Sequence, residues 1–91
     1  MNTLSSILEK IFSDPTLRSH YVEAKILTLY PRAVGKKIAG ISKAVSFSNG
    51  ILVVRVSSAA WRNELNLMTL QIREILNKEL GEQKINKIIF R

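Results

Sequence analysis

Seven basic side chains fall in one segment, between Glu23 and Glu64, that contains no acidic residue. They are Lys25, Arg32, Lys36, Lys37, Lys43, Arg55 and Arg62. Elsewhere the basic and acidic groups cancel, so this segment carries the whole net charge of +7. Concentrated positive charge attracts polyanions and speeds their encounter with a protein. We therefore predict that these seven side chains contact nucleic acid; the alternative is a basic surface that only aids solubility.

Residue types that support catalysis are scarce. His20 is the only histidine, and the acidic residues show no spacing typical of a metal site or an acid/base pair. The absence of cysteine excludes disulfides, thiolate nucleophiles and thiolate metal ligands. Gly35 to Gly40 superficially resembles a phosphate loop, but no Lys-Ser/Thr follows the second glycine. We expect a protein that is not an enzyme and needs no metal or cofactor.

The length and composition favour one small globular domain spanning residues 1–91, of which 1–14 form an N-terminal helical extension. Hydrophobic residues make up 46% of the chain, enough for a core. No apolar run approaches the ~20 residues of a membrane span, and no secretory signal pattern is present. We expect a cytoplasmic protein with no membrane contact and no small-molecule substrate.

Two helices are predicted at the N-terminus. Apolar residues recur at helical spacing over Thr3–Phe12. Asp14 can cap a second helix, Pro15 suits its first turn, and the pattern continues to about Leu29. Because Pro31 disfavours helical geometry in the residue before it, we expect a break or a kink there and a short third helix from Arg32 to about Ala39.

A β-hairpin follows, centred on Asn49-Gly50, which is the strongest short hairpin signal because both turn residues need positive φ. A two-residue loop would set two pairs on one buried face: Phe47 with Leu52, and Val45 with Val54. The opposite face would carry Ser46, Ser48, Ile51, Val53 and Arg55. That face has mixed character and could be open.

One long amphipathic helix is predicted after the hairpin, capped by Ser58 and ended by Gly81. Its apolar stripe is Trp61, Leu65, Met68, Ile72, Leu76 and Leu80. A last strand, Lys84–Phe90, returns to the sheet beside either hairpin strand. The pattern predicts an α+β fold in which N-terminal helices and a long crossover helix cover one face of a three-stranded sheet.

Three further side chains bear on the site, and two of them, Trp61 and Arg62, have two interpretations each. Trp61 could stack on a base, but we favour a core anchor because it heads the apolar stripe. Tyr30 is expected in the core. Arg62 could hold a phosphate together with Ser57, Ser58, the free N–H groups of the helix start and Arg55 just upstream. The alternative is an exposed Arg62 that pairs with Asn66 or solvent.

An ordered set of short motifs spans residues 15–91. It runs Tyr30-Pro31-x-x-Val34-Gly35-x-x-Ile38-Ala39, Asn49-Gly50-x-Leu52-x-Val54-x-Val56-x-Ser58, Trp61-x-x-Glu64-Leu65, Leu76-Asn77-x-x-Leu80-Gly81 and Ile85-x-x-Ile88-x-Phe90-Arg91. The set resembles the bacterial DciA family, with Tyr30 where that family usually has tryptophan. The shared residues look structural, so no catalytic site transfers.

The resemblance implies a KH-like domain that acts in DNA replication. Its implied role is to load or stimulate the replicative DNA helicase, with that helicase and single-stranded or duplex DNA as partners. An RNA-binding KH-like module is one alternative, although the Gly-x-x-Gly loop of KH domains is missing. A protein-interaction domain with a basic docking surface is the other.

Overall fold

The computed structural model describes residues 3–91; residues 1 and 2 of the predicted extension lie outside the described residues. The helices are α1 (Thr3–Ser13), α2 (Pro15–Val34), α3 (Lys36–Ala39), α4 (Ala59–Leu67) and α5 (Thr69–Leu80), and the strands are β1 (Ser42–Ser48), β2 (Ile51–Val56) and β3 (Lys87–Phe90). β2 is central, antiparallel to β1 and parallel to β3. The predicted α+β layout is confirmed, and β3 is placed beside the second hairpin strand.

The N-terminal helices meet at Asp14, as predicted. Its carboxylate accepts hydrogen bonds from the backbone N–H groups of Thr16 (2.9 Å) and Leu17 (3.3 Å), which caps α2. In the described chain, α1 packs against α2 and no other element. Most of its apolar stripe therefore remains exposed, including Leu4 and Phe12.

Of the break or kink predicted before Pro31, the break is wrong, because α2 continues through this proline to Val34. An internal proline removes one hydrogen bond and crowds the preceding turn, at a cost of about 3 kcal/mol. Leu29 and Tyr30 are buried just before it, and burial of two such side chains contributes about 3–6 kcal/mol. The helix ends instead at Gly35, whose φ is 88°, so the third helix shortens to α3.

The hairpin turn is confirmed, with φ of 52° at Asn49 and 79° at Gly50. Phe47 pairs with Leu52 as predicted, but Val45 does not pair with Val54; Ala44 does, and the register shifts between Ala44 and Ser46. The extra residue is a β-bulge. It turns Ser42 and Ala44 inward, beneath α2, and leaves Val45 half-buried.

The predicted single crossover helix is also wrong, since α4 and α5 are separated at Met68. The Thr69 hydroxyl donates to the Asn66 carbonyl at 2.8 Å, a local bond that competes with helix continuation. The apolar stripe nevertheless packs as predicted, with Leu65 and Ile72 fully buried. The Ser58 cap and the left-handed stop at Gly81 are confirmed.

Tyr30 lies in the core, as expected, and its hydroxyl has a defined partner. Ser42 donates from Oγ to the Ile38 carbonyl at 2.7 Å, so the Tyr30 hydroxyl donates to Ser42 Oγ at 2.8 Å. This pair joins α2 to the start of β1. Burial raises the pKa of Tyr30 above its ordinary value, and the Ser42 hydrogen bond offsets part of that rise.

Asn77 is 2% exposed and organises the entry to β3. Its side-chain amide accepts from the Ile85 N–H at 3.0 Å and donates to the Ile85 carbonyl at 2.9 Å. Asn77 is not part of the apolar stripe predicted from the sequence. The structure shows that it substitutes for a missing strand partner of Ile85. β3 itself begins at Lys87, later than the predicted Lys84.

We predict that Asn77→Ala lowers the free energy of unfolding by about 2–4 kcal/mol, because two buried backbone groups lose their partners. Urea denaturation measures the change. Asn66→Ala, at an exposed position of α4, is the matched control and should stay within about 0.5 kcal/mol of the parent chain. Equal effects of the two substitutions would contradict a structural role for the Asn77 amide.

From the raised pKa of Tyr30 we predict that the free energy of unfolding falls in alkali. Its pKa is raised in the folded state, so its contribution is complete below the unfolded value of about 10 and falls as the pH rises further. Urea denaturation from neutral pH to above that value should show a steeper decline for the parent chain than for Tyr30→Phe. Parallel curves for Tyr30→Phe and the parent chain would refute the assignment.

Candidate nucleic-acid interface

The sheet has one covered and one open face. Leu52, Val54 and Val56 alternate along β2 towards the helices and are buried. The intervening Arg55 is exposed on the other face, because successive strand residues point to opposite sides. Directly opposite Arg55, β1 places Lys43, which is also exposed.

A third cation joins this pair from the end of β3. Arg91 N–H donates to the Val54 carbonyl at 2.9 Å, and Val56 N–H donates to the Arg91 carbonyl at 2.7 Å. These two bonds bracket Arg55, so Arg91 lies beside it. Because the preceding Phe90 is buried on the helix side, Arg91 belongs to the open face. Lys43, Arg55 and Arg91 therefore form a row across all three strands, called here the basic row.

The basic row concentrates like charge. Neighbouring strands lie about 4.8 Å apart, so the three Cα atoms span about 10 Å. Like charges placed directly opposite each other on a sheet are destabilising. A bound polyanion would remove that repulsion, and the anionic backbone of a nucleic acid supplies closely spaced charges. The row therefore has the geometry of an anion-binding strip.

An aliphatic surface adjoins the basic row on the same face. Val53 pairs with Ile89, and Ile51 pairs with Lys87; the three apolar side chains are only partly covered, Ile89 being 38% exposed. Aromatic residues are absent from this face in the described strands. It can hold phosphates and pack against sugars, but it has no platform on which a base could stack.

The seven cations predicted from the sequence do not share one surface. Lys43 and Arg55 stand together in the basic row. Lys25 and Arg32 lie on the outer side of α2, where they line a shallow depression with Glu79 of α5. That depression belongs to the helix layer, on the opposite side of the sheet from the basic row.

The remaining predicted cations gather around α3 and the start of α4. They are Lys36, Lys37 and Arg62. Lys37 Nζ lies 5.7 Å from the centre of the Trp61 ring, within reach of a cation–π contact. Trp61 is half-buried and packs against the core, as its anchor interpretation predicted.

Arg62 is half-buried, and its Nε is covered without a hydrogen-bond partner in the described chain. Ser58 Oγ accepts from the Trp61 N–H at 3.2 Å, so the α4 start already has one side-chain partner. The phosphate-binding and solvated interpretations of Arg62 both stay predictions.

Sequence reasoning missed Arg91 and Lys87 as members of the open face. The alternation of β3 contained a signal, because Lys87, Ile89 and Arg91 share one side of a strand. That signal could be interpreted only once the position of β3 in the sheet was known. Only a strand beside β2 brings Arg91 next to Arg55.

The fold and surface define a small α+β domain whose open sheet face is basic. In residues 3–91, no group of three or more His, Cys, Asp or Glu side chains could hold a metal ion. Within the same range, no helix is long and apolar enough to cross a membrane.

The chain belongs to the DciA family, described as the Dna[CI] antecedent, whose model matches residues 3–90. The resemblance seen in the sequence motifs is thereby confirmed. A UPF0232 protein of Bifidobacterium longum (strain NCC 2705) is 24% identical over 85 residues. The match covers 93% of this chain and 54% of that protein, so the chain spans about half the length of this curated relative.

We predict that Arg55→Gln raises the free energy of unfolding by about 0.2–1 kcal/mol at low ionic strength, because it removes the central charge of the basic row. The gain should fade in about 1 M salt, where the Debye length is about 3 Å. Urea denaturation in both buffers tests this. Arg55→Lys keeps the charge and should match the parent; a salt-independent effect of Arg55→Gln would argue against charge repulsion.

Proposed function

We propose that this protein is a non-enzymatic, nucleic-acid-binding accessory of DNA replication that helps to load or stimulate the replicative helicase. Family membership supports the replication role. The observation that carries the DNA contact is the basic row, in which Lys43, Arg55 and Arg91 stand side by side on an uncovered sheet face. We also propose that residues 1–91 form a single KH-like domain.

In this proposal the phosphate backbone crosses the strands along the basic row. Each cation neutralises a phosphate and releases condensed counterions, which makes the affinity strongly dependent on salt. The adjoining Val53 and Ile89 pack against sugars. Since phosphate contacts position a nucleic acid without reading its sequence, binding is independent of base sequence, as suits a factor that acts wherever a helicase is loaded.

Four of the seven predicted cations divide into two roles under this proposal. Lys43 and Arg55 contact the strand directly. Lys25 and Arg32, on the far side of the sheet, contribute only to the long-range field that attracts a polyanion. The replicative helicase is the proposed protein partner, and DNA held on the basic row would be delivered to it.

The test is fluorescence anisotropy of labelled single-stranded DNA across a salt series. The variant Lys43→Gln/Arg55→Gln should bind several-fold more weakly than the parent chain. The slope of log affinity against log salt should become shallower by about 1.4, because each lost contact to a single strand removes about 0.7. Circular dichroism checks that the variant is folded.

The matched control is Lys25→Gln/Arg32→Gln, which removes the same charge from the helix layer. It should keep the parent slope, with only a small change in affinity. Equal losses in the two variants would mean that net charge, not the basic row, governs binding. Tighter binding of RNA than DNA would favour the RNA-binding alternative, and no nucleic-acid binding at low salt would favour a protein-docking surface.

A further inference from the structure

A groove runs along α2, at the opposite end of the sheet from the basic row. Two cavities, of about 270 and 290 Å³, share the lining residues Arg18, Val22 and Lys84. One continues to the hairpin turn at Asn49, and the other continues to Phe12 in α1. Together the two cavities are called here the α2 groove.

Aromatic side chains line the α1 end of the α2 groove. Phe12 and Tyr21 meet edge to face, with ring centres 5.9 Å apart. Both remain open to solvent, at 54% and 43% exposure respectively. The Arg18 guanidinium donates to the Phe12 carbonyl at 3.4 Å, which ties the end of α1 to α2. The groove therefore presents an ordered aromatic corner, a feature typical of binding surfaces.

The charge of the groove is positive. Arg18 and Lys84 border both cavities, and Lys25 borders the α1 end, against one carboxylate, Glu82. Cations set around an apolar floor, which here includes Val22, complement an acidic segment that also carries apolar side chains. Aromatic and Arg side chains are the types that most often anchor such contacts.

We infer that the α2 groove docks an acidic protein segment that inserts apolar or aromatic side chains into its two cavities. Their volumes lie just below the range of about 300–1,000 Å³ usual for small-molecule pockets. They suit single side chains better than a free metabolite. Glu82 lies in the lining of one cavity. A peptide can place an apolar side chain beside this carboxylate and its own acidic groups elsewhere, whereas a nucleic acid carries a negative charge on every nucleotide. This difference favours a peptide over a nucleic acid.

The groove and the basic row can be occupied together. Gly50, in the hairpin turn, borders the groove, and Arg55 lies five residues further along β2, a distance of about 16 Å. The inference rests on the proposed function in one respect only, namely that the chain has a protein partner. The DNA contact involves different residues, so each proposal can fail without the other.

The test is fluorescence anisotropy with a labelled peptide rich in Glu and Asp that carries Leu and Trp, titrated to millimolar protein. Arg18→Gln/Lys84→Gln should weaken peptide binding about fivefold, from the loss of two partly screened charge contacts. Phe12→Ser should also weaken it, because the groove loses an apolar wall. Phe12→Ser should bind single-stranded DNA like the parent chain. Arg18→Gln/Lys84→Gln should keep the parent's salt slope for DNA, with only a small change in affinity from the weaker long-range field.

Lys43→Gln/Arg55→Gln is the matched control, since it removes equal charge from the basic row and should leave peptide affinity unchanged. Equal losses in the two charge variants, or no effect of Phe12→Ser, would overturn the groove as a specific site. Failure of the peptide to bind at millimolar protein would also overturn it. So would displacement of the peptide by single-stranded DNA, or saturation by self-association of the chain.

Discussion

The position of β3 is the constraint on which the candidate site depends. β2 reaches β3 through α4 and α5, and the α5–β3 connection is held by the buried Asn77 amide bonded to both backbone groups of Ile85. From that anchor, Asn86 and Lys87 donate to the Gly50 carbonyl and fix the register. The register then sets Arg91 beside Arg55. A buried amide in the helix layer thus determines how charge is arranged on the opposite, open face.

That arrangement costs stability, which under the proposed function is exchanged for binding of nucleic acid. A sheet covered by helices on one side could present any polar residues on the other, and alternating charges would be more stable than a row of like charges. The core, built on Leu52, Val54 and the α5 stripe, supplies the stability that tolerates this repulsion. Sites that bind polyanions commonly carry charge that opposes folding until the ligand arrives. The basic row carries such charge, because its three cations repel one another in the folded chain.

Turns, caps and helix ends that depend on a few neighbouring residues were predictable from the sequence, whereas features set by tertiary packing were not. The Asn49-Gly50 turn, the Asp14 and Ser58 caps and the Gly81 stop each depend on a few neighbouring residues. The continuation of α2 through Pro31 depends on burial of Leu29 and Tyr30, and the bulge at Val45 depends on α2 lying over β1. Single-sequence reasoning has no access to those contacts.

The same distinction between local and tertiary features explains which parts of the candidate site could be predicted. The run of seven cations identified the basic character of the segment, but α2 and the sheet point its members in opposite directions. The hairpin alone placed Lys43 and Arg55 on adjacent strands, but its predicted register left Lys43 off the open face. The bulge at Val45 brings Lys43 opposite Arg55. The position of Arg91 could not be predicted, because its neighbouring strand is determined by a parallel crossover. The α2 groove could not be predicted either, because it assembles residues from four separate parts of the chain.

The central claim is that nucleic acid binds across the open sheet face at the basic row. It is tested most directly by NMR, from backbone amide shifts of labelled protein during titration with single-stranded DNA. The largest shifts are predicted at Lys43, Arg55 and Arg91, with small shifts at Lys25 and Arg32 in the helix layer. Shifts concentrated in the helix layer or the α2 groove, with the basic row unmoved, would contradict it.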